Sequence, residues 1–467
     1  MKDFQKFWAE WEQKRNMYEI VFGHCYVWEY IRFNIFVIVS KKLKYANGQY
    51  YYYISQAESA NKLKFNDLYF KKKDILFFNM SRRQMVGDKL CSPFLDGLVE
   101  NLKYSYYVLE IRKKEEQSKK IKTPNIKYLD LDKLSCNYEV NNEHILFGNR
   151  IIDLIENDFN ISFSKRDKTE VYNVIASAIS NRKKFYIYFK YILTLIRPKI
   201  VVVLGYGLPY VGYLIETAKQ MGIPVAEYMH GILAFSVYYA RISGDSQKVC
   251  PDYIFTYSDY EKKYIKFPIQ KCNIIPVGNV YHEKRIEWCI KNIKKEKRKK
   301  KIMYISDGIT NYQVIKYLIE LMGYLSEEYQ LVIKIRKDEP WKKRYKDLLD
   351  IGASVAGNYA DKDIYEYLTD VDYLIGTVST VFAEASELPI CQIMIKTPYT
   401  NSSIMYLDNG FSVSYDCTKD LAKAILSDKL QKTCKSFYHS NPVISFNKAI
   451  EMIIGKNVKK RNFNYNS

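Results

Sequence analysis

The stretch from Tyr373 to Met394, YLIGTVSTVFAEASELPICQIM, constrains the fold more than any other part of the chain. It begins with a short apolar run, which predicts a buried strand, and passes through a polar loop into a helical turn. A further apolar run, 390–395, predicts the next strand. A strand that delivers a polar loop to the start of a helix is typical of α/β folds with a parallel sheet.

The polar loop of this stretch carries the hydroxyl groups of Ser379 and Thr380, and Glu384 follows four residues after Thr380. Exposed N–H groups and the dipole at a helix start favour a phosphate at such a loop. The same residues also fit a helix cap, with the glutamate near the first turn as in a capping box. The two interpretations are compatible, and this stretch by itself leaves both open.

The same unit recurs along the chain. Apolar runs that predict buried strands end at polar loops in both halves of the sequence: 74–79, 106–110, 199–204, 223–228, 253–256, 273–276, 302–305 and 330–335. Segments of helical periodicity lie between several of them: 150–196, 311–324 and 363–368. We therefore predict an α/β protein with two Rossmann-like parallel-sheet domains that face a cleft, preceded by an N-terminal helical extension.

The boundary between the two domains is predicted from charge. The run KNIKKEKRKKK, 291–301, is too basic for a core, and a new strand–loop–helix series begins after it. The predicted organisation is as follows: a helical or irregular extension packed on the first domain (1–70), the first domain (71–285), a basic linker (286–301), the second domain (302–430), and a C-terminal helix with a basic tail (431–467).

Composition restricts the partners. The chain has 72 basic and 52 acidic residues and a net charge of +20, which suggests a polyanionic neighbour. The basic runs lie in a linker and a tail, and no compact recognition motif with clustered arginines occurs, so we expect no nucleic-acid partner, and a nucleic-acid-binding protein is the distant alternative. The remaining candidates are a phosphate-rich substrate and an anionic membrane surface. We expect a cytoplasmic protein. Whether it also contacts the inner face of the cell membrane peripherally is left open at this point.

The cysteines and the N-terminal aromatic residues add less. Nine cysteines are scattered without a CxxC pair, which indicates free thiols in a reducing compartment and argues against a zinc site. Trp8, Trp11 and Trp28 stand among charged residues in two amphipathic segments separated near Gly23. Docking onto the body of the protein and contact with a membrane surface both fit this pattern.

Candidate site residues gather where predicted strands end, because open α/β sheets bind ligands at the carboxyl ends of their strands. In the first half these residues are Arg82, Arg83, His230 and Gly231. In the second half they are Ser306, Asp307, Gly308, Lys334, Arg336, Ser379, Thr380 and Glu384. No DxD pair follows any of the predicted strands, so we expect neither a metal ion nor another cofactor.

Roles follow from side-chain chemistry. Lys334 or Arg336 can neutralise a diphosphate, which the hydroxyls of the Ser379–Thr380 loop can hydrogen-bond. Glu384 can accept hydrogen bonds from ribose hydroxyls. His230, with an ordinary pKa near neutrality, suits a general base or a phosphate contact, although a turn histidine with a structural hydrogen bond is the plainer interpretation. Asp96 is a weaker candidate for the base.

Three motifs carry a family resemblance: EYMHG at 227–231, VGN at 277–279, and DYLIGTVSTVFAE at 372–384. From about Lys199 to Gln392 the chain resembles bacterial two-domain glycosyltransferases of the GT-B type. The nearest groups are the capsule and lipopolysaccharide biosynthesis transferases and the related CDP-glycerol glycerophosphotransferases. The resemblance implies an acceptor domain that ends in a QHG-like motif. It also implies a donor domain in which a serine–threonine pair and a downstream glutamate hold a nucleotide.

One departure from the family pattern bears on the donor. Related transferases place a His-Pro after the lysine of the second-domain strand, as in K-x-H-P, whereas this chain has Lys334-Ile335-Arg336-Lys337. A guanidinium binds phosphate but does not exchange a proton at neutral pH. The resemblance therefore implies sugar transfer from a UDP-, GDP- or CMP-linked donor to a glycan or lipid-linked acceptor, with the departure counting against CMP and CDP-glycerol. Transfer of glycerol phosphate or another alditol phosphate is the alternative.

Overall fold

A computed structural model of the 467-residue chain describes most of its length. The described residues are 4–43, 69–79, 83–86, 88–111, 120–129, 138–205, 209–232, 249–265, 269–294, 299–307, 312–336, 339–357, 363–397, 400–432 and 434–464. Two of the predicted site residues, Arg82 and Gly308, lie outside these ranges.

The strands in chain order are β1 (Val21–Phe22), β2 (Cys25–Tyr26), β3 (Ile75–Asn79), β4 (Gln84–Val86), β5 (Lys89–Cys91), β6 (Tyr106–Ile111), β7 (Lys120–Ile121), β8 (Ile126–Leu129), β9 (Ile200–Val203), β10 (Val225–Tyr228), β11 (Tyr253–Thr256), β12 (Ile274–Pro276), β13 (Lys300–Ile305), β14 (Tyr329–Lys334), β15 (Ser354–Ala356), β16 (Tyr373–Gly376) and β17 (Cys391–Met394).

The α-helices are Phe4–Lys14, Trp28–Lys42, Asp96–Val99, Asn142–Phe159, Lys165–Ile196, Pro209–Gln220, Val280–Asn292, Tyr312–Tyr324, Trp341–Arg344, Lys346–Asp350, Ile364–Leu368, Val381–Glu384, Ile404–Asp408, Thr418–Leu426 and Pro442–Asn464. Within the described ranges, no helix is both long enough and apolar enough to cross a membrane.

Two parallel sheets organise the chain. The first has seven strands in the order β12-β11-β10-β9-β3-β6-β8, and the second has five in the order β15-β14-β13-β16-β17. Every neighbouring pair in both sheets is parallel. The α/β prediction with two parallel-sheet domains is confirmed.

The strands are apolar on both faces because helices cover both sides of each sheet. In β3, Leu76 and Phe78 face one core, while Ile75 and Phe77 face a second core that continues to the second sheet. A third core covers the opposite face of the second sheet. Such two-sided burial is what continuous apolar runs in parallel strands require.

The final helix, Pro442–Asn464, returns to the first sheet. Phe446 lies with its ring centre 6.2 Å from that of Phe77 and 5.4 Å from that of Phe255. The side chain of Asn447 donates to the carbonyl of Asn101 at 3.3 Å. The chain therefore enters the second sheet once and comes back, so the two sheets are joined by two crossings.

The N-terminal helices pack on the body of the protein. Trp8 and Trp28 are fully buried, and Trp11 donates its indole N–H to Asp158 at 2.7 Å. A buried ion pair joins Arg32 to Glu12, which also accepts from the indole N–H of Trp28 at 2.9 Å. Of the two interpretations of the N-terminal tryptophans, the structure shows docking, and these side chains are core residues.

The predicted elements differ from the observed ones in several places. In the basic range 286–301, one helix continues through Asn292 and β13 begins at Lys300, while 295–298 lie outside the described residues. Ile286 and Cys289 are buried on one face of that helix, and this packing outweighs the basic character of its other face. The helical range 150–196 is two helices. The short strands β1, β2, β4, β5, β7, β8 and β15 were not predicted, because each is too short or too polar to form a continuous apolar run. The strand β8 ends directly before Asp130-Leu131-Asp132, a DxD pair that lies outside the described residues.

Candidate functional site

Each sheet has one switch point, where the chain reverses the direction in which it adds strands. In the first sheet, β6 and β8 are added in turn on one side of β3, and the next strand, β9, pairs with the other side of β3. In the second sheet the same reversal separates β13 from β16. Loops diverge at the carboxyl ends of the two flanking strands, and ligands bind in the crevice between them. The topology therefore selects one crevice in each sheet.

The crevice of the second sheet lies between the residues after β13 and the loop after β16. Ser306 and Asp307 follow β13, and the hydroxyl of Thr377 donates a hydrogen bond to the Asp307 carboxylate across the switch point. The structure thus brings Ser306 and Asp307 beside the Ser379–Thr380 loop. Thr377 was not singled out in the sequence, although it stands in the same loop.

The Ser379–Thr380 loop is not a capping box. The Ser379 hydroxyl accepts from the N–H of Val381 at 3.2 Å. The Thr380 side chain makes no bond to the helix backbone and instead donates to Glu384 Oε1 at 3.3 Å. The helix Val381–Glu384 is a single turn, so its dipole adds little to an anion site. Attraction for a phosphate at this loop would have to come from side chains.

Glu384 lies in a poorly solvated position. Burial, and secondly the nearby carboxylate of Asp363, raise the pKa of Glu384 to about 8, although the Thr380 hydroxyl acts in the opposite direction. Its Oε2 is shielded from solvent and has no hydrogen-bond partner among the described residues. At neutral pH the side chain is therefore a neutral acid, which donates as well as accepts hydrogen bonds.

Lys334 and Arg336 have different environments. The Lys334 side chain is buried, its Nζ donates to the carbonyls of Ile335 at 3.3 Å and Gly357 at 3.1 Å, and it lies 5.0 Å from the ring centre of Tyr367. Arg336 is exposed, and one of its nitrogens donates to the carbonyl of Asp307 at 2.8 Å. Arg336 is thus the cation at the mouth of the crevice, while Lys334 holds loop backbone beneath it.

Sequence reasoning missed Glu339, which organises the same crevice. Its Oε1 accepts from the hydroxyl of Ser306 at 2.8 Å, from Tyr345 at 2.7 Å and from Arg344 at 2.7 Å. Burial acts to raise the pKa of Glu339, but these donors and the N–H of Arg336 outweigh it and hold the pKa below its usual value. Its position shortly after β14 was the only sequence signal, and its partners become neighbours only in the folded chain.

In the first sheet, Arg83 is engaged within its own domain. It forms a fully shielded ion pair with Glu110 and donates to the hydroxyl of Thr123 at 3.0 Å. Asn79, the last residue of β3, donates to the other Glu110 oxygen at 2.6 Å. The charge of Arg83 is therefore balanced by Glu110, which weakens the case for Arg83 as a phosphate ligand.

Asp96 belongs to the same polar network. Its carboxylate accepts from the N–H of Ser92 at 2.8 Å and from the Thr123 hydroxyl. Burial raises the pKa of Asp96, with these hydrogen bonds and Arg83 acting in the opposite direction. Both carboxylate oxygens of Asp96 already accept hydrogen bonds from the protein. A structural role in this loop therefore explains why Asp96 is buried. A catalytic role for Asp96 stays a prediction.

His230 and Gly231 follow β10 at the carboxyl edge of the first sheet. A Cβ atom placed on Gly231 would lie 4.0 Å from Cγ2 of Thr380. This proximity places the end of the EYMHG segment against the hydroxyl loop of the second sheet. The carboxyl edges of the two sheets therefore face each other here, with the histidine on one side and the Ser379–Thr380 loop on the other.

A second contact between the sheets comes from the segment 258–264, which follows β11. The hydroxyl of Tyr264 donates to Asp408 at 2.8 Å, and Tyr260 stacks on Phe437 with ring centres 5.6 Å apart. Between them, Glu261 is buried and accepts from the N–H groups of Tyr257 and Ser258 at 2.7 and 2.8 Å. Burial raises the pKa of Glu261 to about 8 despite these donors.

The two crossings of the chain lie side by side. Gly278 adopts a φ of +77°, and a Cβ atom there would lie 2.3 Å from the carbonyl oxygen of His439. The hydroxyl of Tyr228 donates to the carbonyl of Gly278 at 2.9 Å, and the N–H of His439 donates to the carbonyl of Tyr257 at 2.8 Å. Only glycine fits this position, since it combines a positive φ with a close backbone approach.

No cluster of three or more histidine, cysteine, aspartate or glutamate side chains suited to a metal ion occurs in the part of the chain that the structure describes. Two parallel α/β sheets that face each other at their carboxyl edges, with a final helix that returns to the first, define a GT-B-like fold.

No protein-family model matches the sequence, and no curated protein matches it by sequence. In structure it is similar to a UDP-GlcNAc 2-epimerase from Methanocaldococcus jannaschii solved with UDP-GlcNAc and UDP, at 14% identity over 81% of this chain and 98% of that chain, with a TM-score of 0.45.

Two further structures are similar. The apo form of the lipopolysaccharide outer core galactosyltransferase WaaB has 14% identity over 81% of this chain and 99% of that chain, with a TM-score of 0.46. A UDP-GlcNAc 2-epimerase from Neisseria meningitidis bound to UDP-GlcNAc has 12% identity over 83% of this chain and 100% of that chain, with a TM-score of 0.46. The fold assignment stands on the strand order and register above, and the reaction has to be argued from the site.

Proposed function

We propose that the protein is a glycosyltransferase that moves a sugar from a nucleotide-sugar donor to a surface glycan or its lipid-linked precursor, as in capsule or lipopolysaccharide synthesis. The observation that carries this proposal is the approach of Gly231 to Thr380, which sets His230 of one parallel sheet opposite the hydroxyl loop of the other. A site shared by two such edges suits a reaction with two substrates, because each sheet can hold one of them.

The second sheet would hold the donor. The Ser379 hydroxyl would donate to the diphosphate, and the Thr380 hydroxyl would turn from Glu384 to do the same. The exposed guanidinium of Arg336 would balance the charge of the diphosphate. As the bond between the sugar and the phosphate breaks, the leaving diphosphate gains negative charge. A fixed cation and preorganised donors stabilise that charge without a metal ion. Glu384 would reach the nucleotide as a neutral acid, and Ser306 and Asp307 would shape the loop beneath it.

The first sheet would hold the acceptor. An acceptor hydroxyl would attack the anomeric carbon of the sugar, and His230 would take the proton that this hydroxyl releases. The products are then the glycosylated acceptor, the nucleoside diphosphate and a protonated imidazole. Asp96 is the second candidate for this base, and its internal hydrogen bonds rank it below His230.

The proposal is tested with the full-length protein by calorimetric titration of UDP, GDP, CMP and CDP-glycerol, followed by transfer and hydrolysis assays with the matching sugar donors. We expect a uridine or guanosine diphosphate to bind. The double variant Ser379→Ala/Thr380→Ala should weaken that binding by about 10- to 100-fold, since two hydrogen bonds to phosphate are lost. His230→Ala should lower turnover more than donor affinity.

A matched control is Ser427→Ala, whose hydroxyl donates to the carbonyl of Lys423 in the preceding helix at 2.7 Å. Unchanged nucleotide affinity in the double variant would remove the phosphate assignment, and a fully active His230→Ala variant would return that residue to a structural role. If no nucleotide binds the wild-type protein, glycosyl transfer is excluded. Preference for CDP-glycerol would instead support glycerol phosphate transfer, and epimerisation of a bound donor sugar without transfer would replace the proposal.

A further inference from the structure

A separate cavity of about 120 Å³ lies at the opposite edge of the first sheet from the cleft. Its position follows from the helix Pro209–Gln220, which connects the end of β9 to the start of the parallel strand β10. Such a helix runs back across the sheet, so its last turn, with Glu216 and Gln220, lies at the amino edge. The N-terminal hairpin, which carries His24 and Tyr26, closes the cavity from the other side.

The cavity is built around one carboxylate in a fixed position. Glu216 accepts hydrogen bonds from Arg182 Nε at 2.9 Å, from the hydroxyl of Tyr30 at 2.5 Å and from the amide of Gln220 at 3.2 Å. Arg182 also pairs with the second carboxylate oxygen through Nη2. These partners hold the side chains in place without a ligand, which lowers the entropy that binding would cost.

The lining indicates the class of ligand. Arg182 and Glu216 cancel each other's charge, so the cavity lacks the surplus of cations that a phosphate site needs. Its lining includes Arg182 and Gln220, each of which has N–H groups beyond those that bond Glu216, together with the imidazole of His24 and the ring of Tyr26. Vicinal hydroxyls can donate to and accept from such groups, while the apolar face of a sugar ring packs on an aromatic side chain. The volume suits several water molecules or one sugar ring and excludes a long glycan.

We propose that this cavity is a second carbohydrate-binding site, which holds one neutral sugar unit of the glycan acceptor remote from the cleft. The assignment of its ligand to the acceptor rests on the proposed function, whereas the site itself rests on the cavity and its lining. Such a site would anchor a growing chain on the enzyme and raise the effective concentration of its end at the cleft.

The test is ligand-detected NMR on the full-length protein with the methyl glycosides of glucose, galactose and N-acetylglucosamine, and with inorganic phosphate as a separate probe. His24 and Gln220 are both exposed, so the variant His24→Ala/Gln220→Ala leaves the core intact. We expect at least one glycoside to bind the wild-type protein, and this variant to weaken it by about tenfold through lost hydrogen bonds. The cleft variant Ser379→Ala/Thr380→Ala should bind the same glycoside unchanged.

The outcomes separate the two proposals. Absence of binding for all three glycosides, equal affinity in the cavity variant, or displacement of the glycoside by phosphate would each overturn the carbohydrate site. If a glycoside binds the cavity while no nucleotide binds the cleft, the carbohydrate site stands and glycosyl transfer falls. If both bind, the KM of the wild-type protein for the glycan acceptor should fall as the glycan becomes longer. In the cavity variant the KM should no longer fall with glycan length, while kcat is unchanged. A KM that still falls with length in the cavity variant would contradict the anchoring role.

Discussion

At the scale of single residues, environment decides which of several candidate side chains can act. Lys334 and Arg336 are both cations near one strand end, yet one is buried under loop carbonyls and the other is exposed. Arg83 and Asp96 are both site candidates in the first half of the chain, yet each has partners inside its domain. A polar residue type in a sequence therefore states a chemical capacity, and its neighbours decide whether that capacity remains available to a ligand.

The two cations should respond differently to substitution. Arg336→Ala should weaken nucleotide binding by about tenfold with little change in stability, because an exposed charge contributes little to folding. Lys334→Met should lower the melting temperature, because two loop carbonyls lose their donor. Titration calorimetry and thermal unfolding on both variants provide the measurement. The reverse pattern, with Lys334 controlling affinity, would restore lysine as the phosphate ligand.

Glu261 makes stability depend on pH. Its folded pKa of about 8 is raised above the usual value of 4.5, so the folded state holds a proton that the unfolded state releases. Stability therefore falls as pH rises from about 4.5 to about 8 and is constant beyond, by roughly 1.4 kcal/mol per pH unit inside that window. Glu261→Gln removes this loss. Urea unfolding at pH 6 and pH 8 should show wild type losing stability relative to the variant.

The control for this pH experiment is Glu327→Gln, which changes an exposed carboxyl. Comparing each variant with wild type cancels the contribution of other titrating groups, including Glu384. Parallel pH profiles for wild type and Glu261→Gln would show that Glu261 ionises normally in the folded protein.

At the scale of elements, the strand–loop–helix units determine which loops meet at the site. The strand from Tyr373 ends at Gly376 so that its loop meets the loop after β13, and Thr377 joins them. A single position also controls the segment in which the chain passes from the first sheet to the second. There the conformation of Gly278 and its approach to His439 set the direction in which the chain leaves the first sheet. Single backbone positions thus control how whole elements meet.

Gly278→Ala should destabilise the protein by at least about 2 kcal/mol, because alanine is strained at positive φ and its methyl group would collide with a backbone carbonyl. The matched control is Gly323→Ala, which lies in the helix Tyr312–Tyr324 with open space around it. That change should stabilise by up to about 1 kcal/mol through helix propensity. Denaturant unfolding of both variants measures the difference. Equal stability of the two would remove the structural role assigned to Gly278.

At the scale of the whole molecule, one core joins the two sheets and the final helix completes it. Residues of β3 and β9 share a core with Met303 and Leu374 of the second sheet. Phe446 reaches this core from the C-terminal helix. The relative position of the sheets, and hence the cleft, depends on residues that are far apart in sequence.

Phe446→Ala should cost about 3–5 kcal/mol, since a fully buried ring leaves a cavity between helix and sheet. Ile444→Ala on the same helix is the control, because Ile444 is 54% exposed and its loss should change stability by less than about 0.5 kcal/mol. Unfolding curves followed by tryptophan fluorescence give both values. A loss below about 1 kcal/mol for Phe446→Ala would show that the helix is loosely docked.

The sequence by itself determined the units. Apolar runs that end in glycine and hydroxyl-rich loops predict buried parallel strands, and the bounds of β3, β10, β13 and β16 lie within two residues of prediction. The reason is local: two-sided burial demands continuous apolar residues, and the loops that follow need small or polar ones. The same local reasoning identified the Ser379–Thr380 loop and the residues after β13.

Only the tertiary structure decided which of those loops meet and which side chains remain available there. The switch points depend on strand order, which no local pattern encodes, and the approach of Gly231 to Thr380 depends on the crossing at Gly278 and the return of the final helix. The raised pKa of Glu384, the ion pair of Arg83 and the bonds of Glu339 arise from neighbours distant in sequence. Desolvation and hydrogen bonding are properties of a place in the fold, so the sequence names the groups and the fold sets their chemistry.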